Sequence, residues 1–356
     1  MTDIIVIGGG IAGLSVAARL SETANVLVLE AEGSLGYHAS GRSAALIEQN
    51  YGAPSVQALN GASFGYLQTN GYLSPRGLLL IARSHERDAF EKDVATLGTE
   101  PVTVAEALAL VPILDARKVA LAAYHTEALD IDTDRLLQDF ARTVRRSGGR
   151  VETGRRVESI NYANGEWKVT CGEEQFHAPT LINAAGAWAD TIAEMAGVEP
   201  LHIVPHRRSV ARIPAPGGHD VGKWPIFFGV GETWYAKPDA GFLLVSPADE
   251  DPVEPHDAWA EDLTLAEGLA RYEEVVTEPV TQLQSSWAGL RSFAPDRTLV
   301  LGRDPVKPEF VWCAGQGGYG FQTAPAASTL LADLVLGKTP GIDADVVVAL
   351  TPDRLR

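Results

Sequence analysis

Cysteine, positive charge and long apolar runs are all scarce in this chain. Its two cysteines among 356 residues, Cys171 and Cys313, are too few for a disulfide framework and lack metal-ligand spacing. Both lie in apolar, strand-like stretches and read as buried thiols in a reducing compartment, so the expected location is cytoplasmic. The histidines are scattered, and no metal site is expected. Lys plus Arg number 29 against 46 Asp plus Glu, a net charge of −17 that argues against nucleic acid or an anionic membrane as partner. No apolar run approaches the roughly 20 residues a bilayer span requires, so no membrane span is expected. The first strand is expected from the amino terminus onward, so no signal peptide is expected. What remains is the composition of a soluble globular protein, 46% hydrophobic and 21% charged, long enough for one large or two ordinary domains.

What is present is densest in the first thirty residues. Ile4-Ile5-Val6-Ile7 is an apolar run, followed by Gly8-Gly9-Gly10-Ile11-Ala12-Gly13, an Ala-rich helical stretch to Leu20, and Val26-Leu27-Val28-Leu29-Glu30. Strand, Gly-x-Gly-x-x-Gly turn, helix, strand and acid in that order build a dinucleotide site. Gly8 permits the tight turn, Gly10 lets backbone approach a pyrophosphate, and Gly13 lets helix and strand pack closely. The helix from Ile11 offers its N–H groups and positive dipole end to phosphate. Glu30 accepts hydrogen bonds from ribose hydroxyls.

Farther along, helices are expected at Val56–Thr69, His85–Leu97, Thr103–Val111 and Thr133–Ser147, the last ending at Gly148-Gly149. Strands are expected at Gly77–Arg83, Arg150–Ile160, Glu166–Cys171 and Thr180–Asn183, with Asn164-Gly165 as a turn. Residues 200–295 differ, alternating short strands (Arg208–Ile213, Ile226–Phe228, Thr233–Lys237, Gly241–Val245) with Pro- and Gly-rich turns. Phe310–Ala314 returns to a buried, parallel-type strand, and an apolar helix Ala324–Leu336 stops at Gly337. The nucleotide domain is thus expected from separated segments, with a second domain inserted between them.

Four further clusters carry chemistry. Gly36-Tyr37-His38-Ala39-Ser40-Gly41-Arg42-Ser43-Ala44-Ala45 surrounds one arginine with small residues, whose backbone and guanidinium can meet a pyrophosphate and the edge of a flat ring. Asn183-Ala184-Ala185-Gly186-Ala187-Trp188 ends a strand without obstructing side chains. Trp287-Ala288-Gly289-Leu290-Arg291-Ser292-Phe293 sets an arginine among apolar residues, where an unpaired guanidinium is costly and a planar carboxylate suits its fork. Gln316-Gly317-Gly318-Tyr319-Gly320-Phe321-Gln322-Thr323 places glycines before a helix whose dipole favours negative charge. The plain alternatives are a flexible loop, a helix-packing strand end, a structural salt bridge and a glycine cap.

Together, and in this order, the clusters resemble the FAD-dependent D-amino-acid oxidase and dehydrogenase family, which includes glycine and sarcosine oxidases. The likeness is closest to bacterial D-arginine dehydrogenase-type enzymes and covers nearly the whole chain. It implies an α/β fold: a Rossmann-like FAD-binding domain of glutathione-reductase type (residues 1–51, 131–199 and 296–356) with an inserted α+β substrate domain carrying an antiparallel sheet (52–130 and 200–295). FAD, held non-covalently, is implied at Gly8, Gly10, Ala12, Gly13, Glu30, Ala31, Ala39, Ser40, Gly41, Arg42, Ser43, Ala44, Ala45, Leu46, Val157, Ala185, Gly186, Trp188, Gly317, Gly318, Tyr319, Gly320, Phe321 and Gln322. For Val157 the residue alone reads as a plain core valine.

On the substrate side the resemblance assigns the carboxylate to Arg291 with Tyr51, Arg207 and Tyr235, and sets Gln322 and Gly318 beside the flavin's reactive edge and the substrate amine. Leu78 stands where D-arginine-selective relatives carry an acid, which leaves a D-Arg or D-Lys preference open, and Leu46 stands where close relatives carry a histidine. Glu48 reads first as a solvated loop acid, with the alternative of supplying negative charge from another side. The implied activity is oxidative deamination of a D-amino acid, a small molecule, by hydride transfer from Cα to flavin N5. An imino acid results, then a 2-oxo acid and ammonia. The electron acceptor is left open among oxygen, quinone and others, and so is dehydrogenase against oxidase. The alternatives are N-methyl amino acids or 2-hydroxy acids as substrates, a non-catalytic flavin-binding subunit, and, more weakly, an NAD-dependent dehydrogenase.

Overall fold

A six-stranded sheet organises the nucleotide half of the computed structural model, which describes residues 2–356. Its strands run in the order Val300–Arg303, Phe310–Ala314, Thr180–Asn183, Ile4–Ile7, Val26–Leu29 and Arg150–Glu152, all parallel except the antiparallel first pair. Runs such as Ile4-Ile5-Val6-Ile7 are apolar throughout because both faces of such a sheet are covered. Ile4, Val6, Val26 and Val28 face a core shared with the helices Ile11–Leu20, Thr133–Arg146 and Gly320–Leu336. The alternate residues Ile5, Ile7, Leu27 and Leu29 face a second core, closed by Trp167, Val169 and Phe176 of a three-stranded antiparallel sheet and by the helix Ala189–Met195.

The second half is built on an eight-stranded sheet in the order Ser285–Phe293, Val204–Pro214, Phe242–Ser246, Tyr235–Asp239, Ile226–Gly229, Leu78–Ala82, Leu121–His125 and Glu100–Val102. One pair, Ile226–Gly229 with Leu78–Ala82, is parallel and the rest are antiparallel. Between the two sheets lies a small three-stranded one, Leu46–Ile47, Leu129–Ile131 and Leu73–Pro75. The helix Pro54–Thr69, although it falls within residues 52–130, packs Val56, Leu59 and Leu67 into the core of the nucleotide sheet.

Several elements differ from their sequence-based bounds, among them the strand expected at Arg208–Ile213, which runs Val204–Pro214, and two that bear on the site. The expected strand Arg150–Ile160 is two strands in two sheets, Arg150–Glu152 and Ser159–Ala163. Gly154, with φ of +69°, turns the chain away between them, and the Gly154 and Arg155 N–H groups donate to the carbonyls of Glu32 and Glu30. That detour carries Val157 across the end of the second parallel strand. The expected helix Ala324–Leu336 begins earlier, at Gly320, so Pro325 lies in its second turn rather than its first. A proline there removes a helix N–H. Ser63 Oγ, from the neighbouring helix, accepts from the Ala326 N–H at 3.1 Å and donates to the Thr323 carbonyl at 3.2 Å, which mends the interruption.

The opening glycine turn is fixed by close approach. Gly8 has φ of +112°, and a Cβ on it would overlap the Ala184 carbonyl; a Cβ on Gly13 would overlap the Gly8 carbonyl. Gly13→Ala should therefore destabilise the protein by about 3 kcal/mol. Gly33→Ala, at a position with open space around it, should stay within about 0.5 kcal/mol of the parent; urea denaturation of both variants checks the contrast. Cys171 and Cys313 are free and buried, and burial raises their thiols to about 11 and about 12. A thiol reagent reacts with the thiolate, so at about pH 8 the native protein should leave both unlabelled and the denatured protein expose both, read by absorbance of the released chromophore.

Candidate active site

Two cavities meet end to end along the C-terminal edge of the parallel sheet. The first, about 340 Å³, is lined by Gly8, Gly10, Glu30, Ala31, Val157 and the Ala184–Trp188 strand end. Glu30 Oε2 accepts from the Gly9 N–H at 2.6 Å and Oε1 from the Glu32 N–H at 2.9 Å. Both oxygens keep lone pairs for a ribose. The second cavity shares Gly10, Ala39, Ser40, Ala184, Gly186 and Leu290 with the first, and continues past Ala12 and the Arg42–Leu46 loop to Gln316–Gln322. Ser40 Oγ accepts from the Ile11 N–H at 3.0 Å, which caps the first helix and fastens the small-residue loop to the glycine turn. The helix Gly320–Leu336 begins at the far end, so its positive pole borders the second cavity.

Most of the expected cofactor residues line this channel; Gly13, Gly41 and Tyr319 do not. Gly13 packs against Gly8, and the Gly41 N–H closes a turn on the Gly36 carbonyl at 2.6 Å. Tyr319 turns away: its hydroxyl donates to the Arg297 carbonyl and its ring lies 6.2 Å from that of Tyr51. Arg42 borders the channel, but its guanidinium is committed to the carbonyls of Ala258 and Ala288, at 2.7 and 3.0 Å, and to Asp257. It holds the loop's shape and is not free for a pyrophosphate or a ring edge.

A third cavity, about 130 Å³, opens off the second and holds the substrate-side residues. Tyr51, Tyr235, Arg291, Gly318, Gln322, Leu46, Leu78 and Glu48 all line it. Arg207 does not. Strands Val204–Pro214 and Ser285–Phe293 pair with His206 opposite Arg291 and Arg208 opposite Gly289, so Arg208 and Arg291 share a face as diagonal neighbours. Arg207 points to the other face, where it pairs with Asp249 at 3.2 Å, Asp251 at 2.8 Å and Glu261. The structure therefore puts Arg208, one residue on, where the sequence reading expected Arg207. Alternation counted back from the strand's apolar positions was the only signal for this, and it needs the partner strand's register to be decisive.

Arg208 Nε and Nη1 are buried without hydrogen-bond partners, and its closest carboxylate, Glu250, is 3.6 Å from Nη2. Burial and then the neighbouring Arg291 charge pull its guanidinium below the usual range. Burial acts most strongly against Arg291, but Tyr51, Tyr235, Glu232 and Glu250 together leave it raised. Burial also pushes the Tyr51 phenol up, against the pull of Arg291. Gly318 keeps this arrangement possible, since a Cβ there would press on the Arg291 guanidinium.

Glu48 is not a solvated loop acid. It is 5% exposed, with its N–H on Gln322 Oε1 at 3.0 Å and its carboxylate against His125. His125 and Glu232, both beside this cavity's residues, carried no sequence signal. Lys237 was also missed. Its Nζ donates to the Ala44 carbonyl at 3.1 Å and pairs with Asp130 at 2.9 Å, so it holds the loop between the cavities. Among the described residues no group of His, Cys, Asp or Glu could hold a metal; His202 and His206, four apart, are not on a helix.

The donor set fits a flavin dinucleotide: an acid for the ribose, a glycine turn and helix start for the pyrophosphate, then a flat channel walled by small residues to a second helix start. Comparison with known proteins agrees. FAD-dependent oxidoreductase domain-containing protein 1 of Mus musculus is 26% identical over 94% of this chain and 81% of its own. Glycine oxidase of Bacillus licheniformis is 24% identical over 96% of each. The crystal structure of L-proline dehydrogenase from P. horikoshii shares the fold, with a TM-score of 0.84 at 22% identity over 99% of this chain and 97% of that one. Residues 3–334 match the family described as DAO, FAD dependent oxidoreductase. With nearly its whole length matched and a channel shaped for the cofactor, the chain belongs to the DAO family of FAD-dependent oxidoreductases.

Proposed function

We propose that this chain oxidises a small α-amino acid at its Cα–N bond, the D enantiomer in the reading its signature clusters support. Residues 1–51, 131–199 and 296–356 would serve the cofactor, and 52–130 and 200–295 the substrate. The observation that carries this is the pair Arg208, buried, and Arg291, half-buried, neighbours on one sheet face at the junction of the cofactor channel and the inner cavity. Two adjacent guanidinium groups, one with unpartnered N–H groups, call for an anion, and a carboxylate matches their planar forks. The Tyr51 and Tyr235 hydroxyls stand ready as neutral donors beside them.

FAD, when bound, supplies the two-electron acceptor for the Cα–H bond. Arg291 and Arg208 would anchor the carboxylate and so fix where Cα lies. Gly318 and Gln322, which border both cavities, would leave the junction open on the substrate's amine side. Such anchoring turns binding energy into orientation, and no side-chain base is required once the amine is neutral. The imino acid product then takes up water and releases ammonia and a 2-oxo acid. Relatives named for glycine, dimethylglycine and L-proline support an amino-acid or amine substrate. A secondary amine is the second reading, favoured by the dimethylglycine dehydrogenase relative, 22% identical over 99% of this chain.

Anaerobic bleaching of the flavin, followed over a panel of D- and L-amino acids, N-methyl amino acids and 2-hydroxy acids, tests the reading. D-amino acids should bleach fastest. Bleaching confined to hydroxy acids, or none at all, would sink the proposal. The arginines make a sharper test. Arg291→Met and Arg208→Met should each lower kcat/KM by about a hundredfold or more. Arg207→Met should leave kcat/KM nearly unchanged and instead cost about 3 kcal/mol of stability, because it leaves the buried Asp249 carboxylate, still bonded to Ser209, without its cation. Steady-state kinetics and thermal unfolding of the three variants separate these roles.

A further inference from the structure

The inner cavity has a second pole. Arg208, Tyr235, Arg291, Gly318 and Gln322 border both this cavity and the cofactor channel, whereas Glu48, Leu78, Leu97, Ile226 and Phe228 border the cavity alone. Tyr51 and Glu232 also border the cavity alone, and both act electrostatically on Arg208 and Arg291; the rest of the wall away from the channel is apolar apart from the Glu48 carboxylate. Burial makes that carboxylate expensive unless its lone pairs are used.

Only part of Glu48 is used. Its Oε1 accepts from the Asn50 N–H at 3.0 Å. Its Oε2 lies 3.1 Å from His125 Nε2 but off the line a hydrogen bond needs, so both atoms are buried and without a hydrogen-bond partner. The His125 Nδ1 accepts from the Glu127 N–H at 3.1 Å, which places the proton of a neutral ring on Nε2. Among the described residues, His125 is the only basic side chain within 4.0 Å of Glu48. His125 also stands directly opposite Leu78 across the strand pair. The acid therefore reaches the stretch of wall that Leu78 leaves uncharged.

We propose that this wall is a side-chain subsite for an amino acid whose aliphatic chain ends in a second amine, with Glu48 Oε2 accepting the terminal ammonium. The methylenes would lie along Leu78, Leu97 and Phe228, and only the end of the chain would meet charge. The subsite rests on the reading that Arg291 and Arg208 hold the substrate carboxylate. It gives the pocket opposite charges at its two ends, so a diamino acid would bind in one direction only.

Two carboxylates of lysine's length without an α-amine isolate this contact: 6-aminohexanoate and hexanoate, titrated into the FAD-loaded protein while the flavin spectrum is followed. The wild type should bind 6-aminohexanoate at least about tenfold more tightly than hexanoate. Glu48→Gln should bring that ratio to about one, mainly by weakening 6-aminohexanoate. Equal affinities in the wild type, or a Glu48→Gln variant that weakens both ligands alike, would overturn the subsite. Bleaching of the flavin by 6-aminohexanoate would overturn it too, because the terminal amine would then lie at the reacting end. The wild-type ratio decides alone if Glu48→Gln does not fold. Binding of neither ligand would instead remove the carboxylate site, and the subsite with it.

Discussion

Like charges set close together repel, and the face shared by strands Val204–Pro214 and Ser285–Phe293 holds two of them, Arg208 and Arg291. Neither has a carboxylate at hydrogen-bond distance among the described residues; Glu250, at 3.6 Å from Arg208, is the nearest approach. In a medium of low effective dielectric such a pair is tolerable only with compensation. The carboxylates of Glu232 and Glu250 supply part of it. The rest is left to whatever anion enters the cavity. Gly318 protects this arrangement by staying small beside the Arg291 guanidinium, and the helix start at Gly320 adds a further positive pole for that anion to meet.

The acids that could have quenched these charges are engaged elsewhere. Asp249, Asp251, Asp257 and Glu261 lie on the stretch between strand Phe242–Ser246 and helix Asp262–Glu273. Three of them hold Arg207, and Asp257 holds Arg42 together with the loop that lines the channel. One irregular segment thus fastens the outer face of the arginine strand and the cofactor loop at once. Its charges are spent on architecture, which leaves the inner face electropositive. The protein's large negative net charge coexists with a positive pocket by this segregation.

The nucleotide half was legible because its signals are local. Apolar runs buried on both faces, a glycine turn and an acid at the strand end each follow from a few consecutive residues, and all lie where the pattern put them. What was not legible depended on register or on distant partners. Arg207 and Arg208 are adjacent in sequence and opposite in space, and only the pairing with residues 285–293 tells them apart. Glu48 looks like a loop acid until His125 and Gln322, 77 and 274 residues away, close around it. The start of the helix Gly320–Leu336 was misplaced because Pro325 suggests a first turn, and the Ser63 hydroxyl that makes a later position tolerable comes from another helix.

Strand alternation at Arg207 and Arg208 also sets how this chain can vary over time. A single residue gained or lost within Val204–Arg207, uncorrected by a bulge, would send the next arginine to the wrong side of the sheet. The outer clamp and the inner anion site would exchange occupants in one event. Point substitutions can retune the pocket wall one side chain at a time, whereas the spacing ahead of Arg208 is held by two requirements at once. Length variation should therefore collect in turns such as Ala240-Gly241, beyond the strand, and stop short of this one.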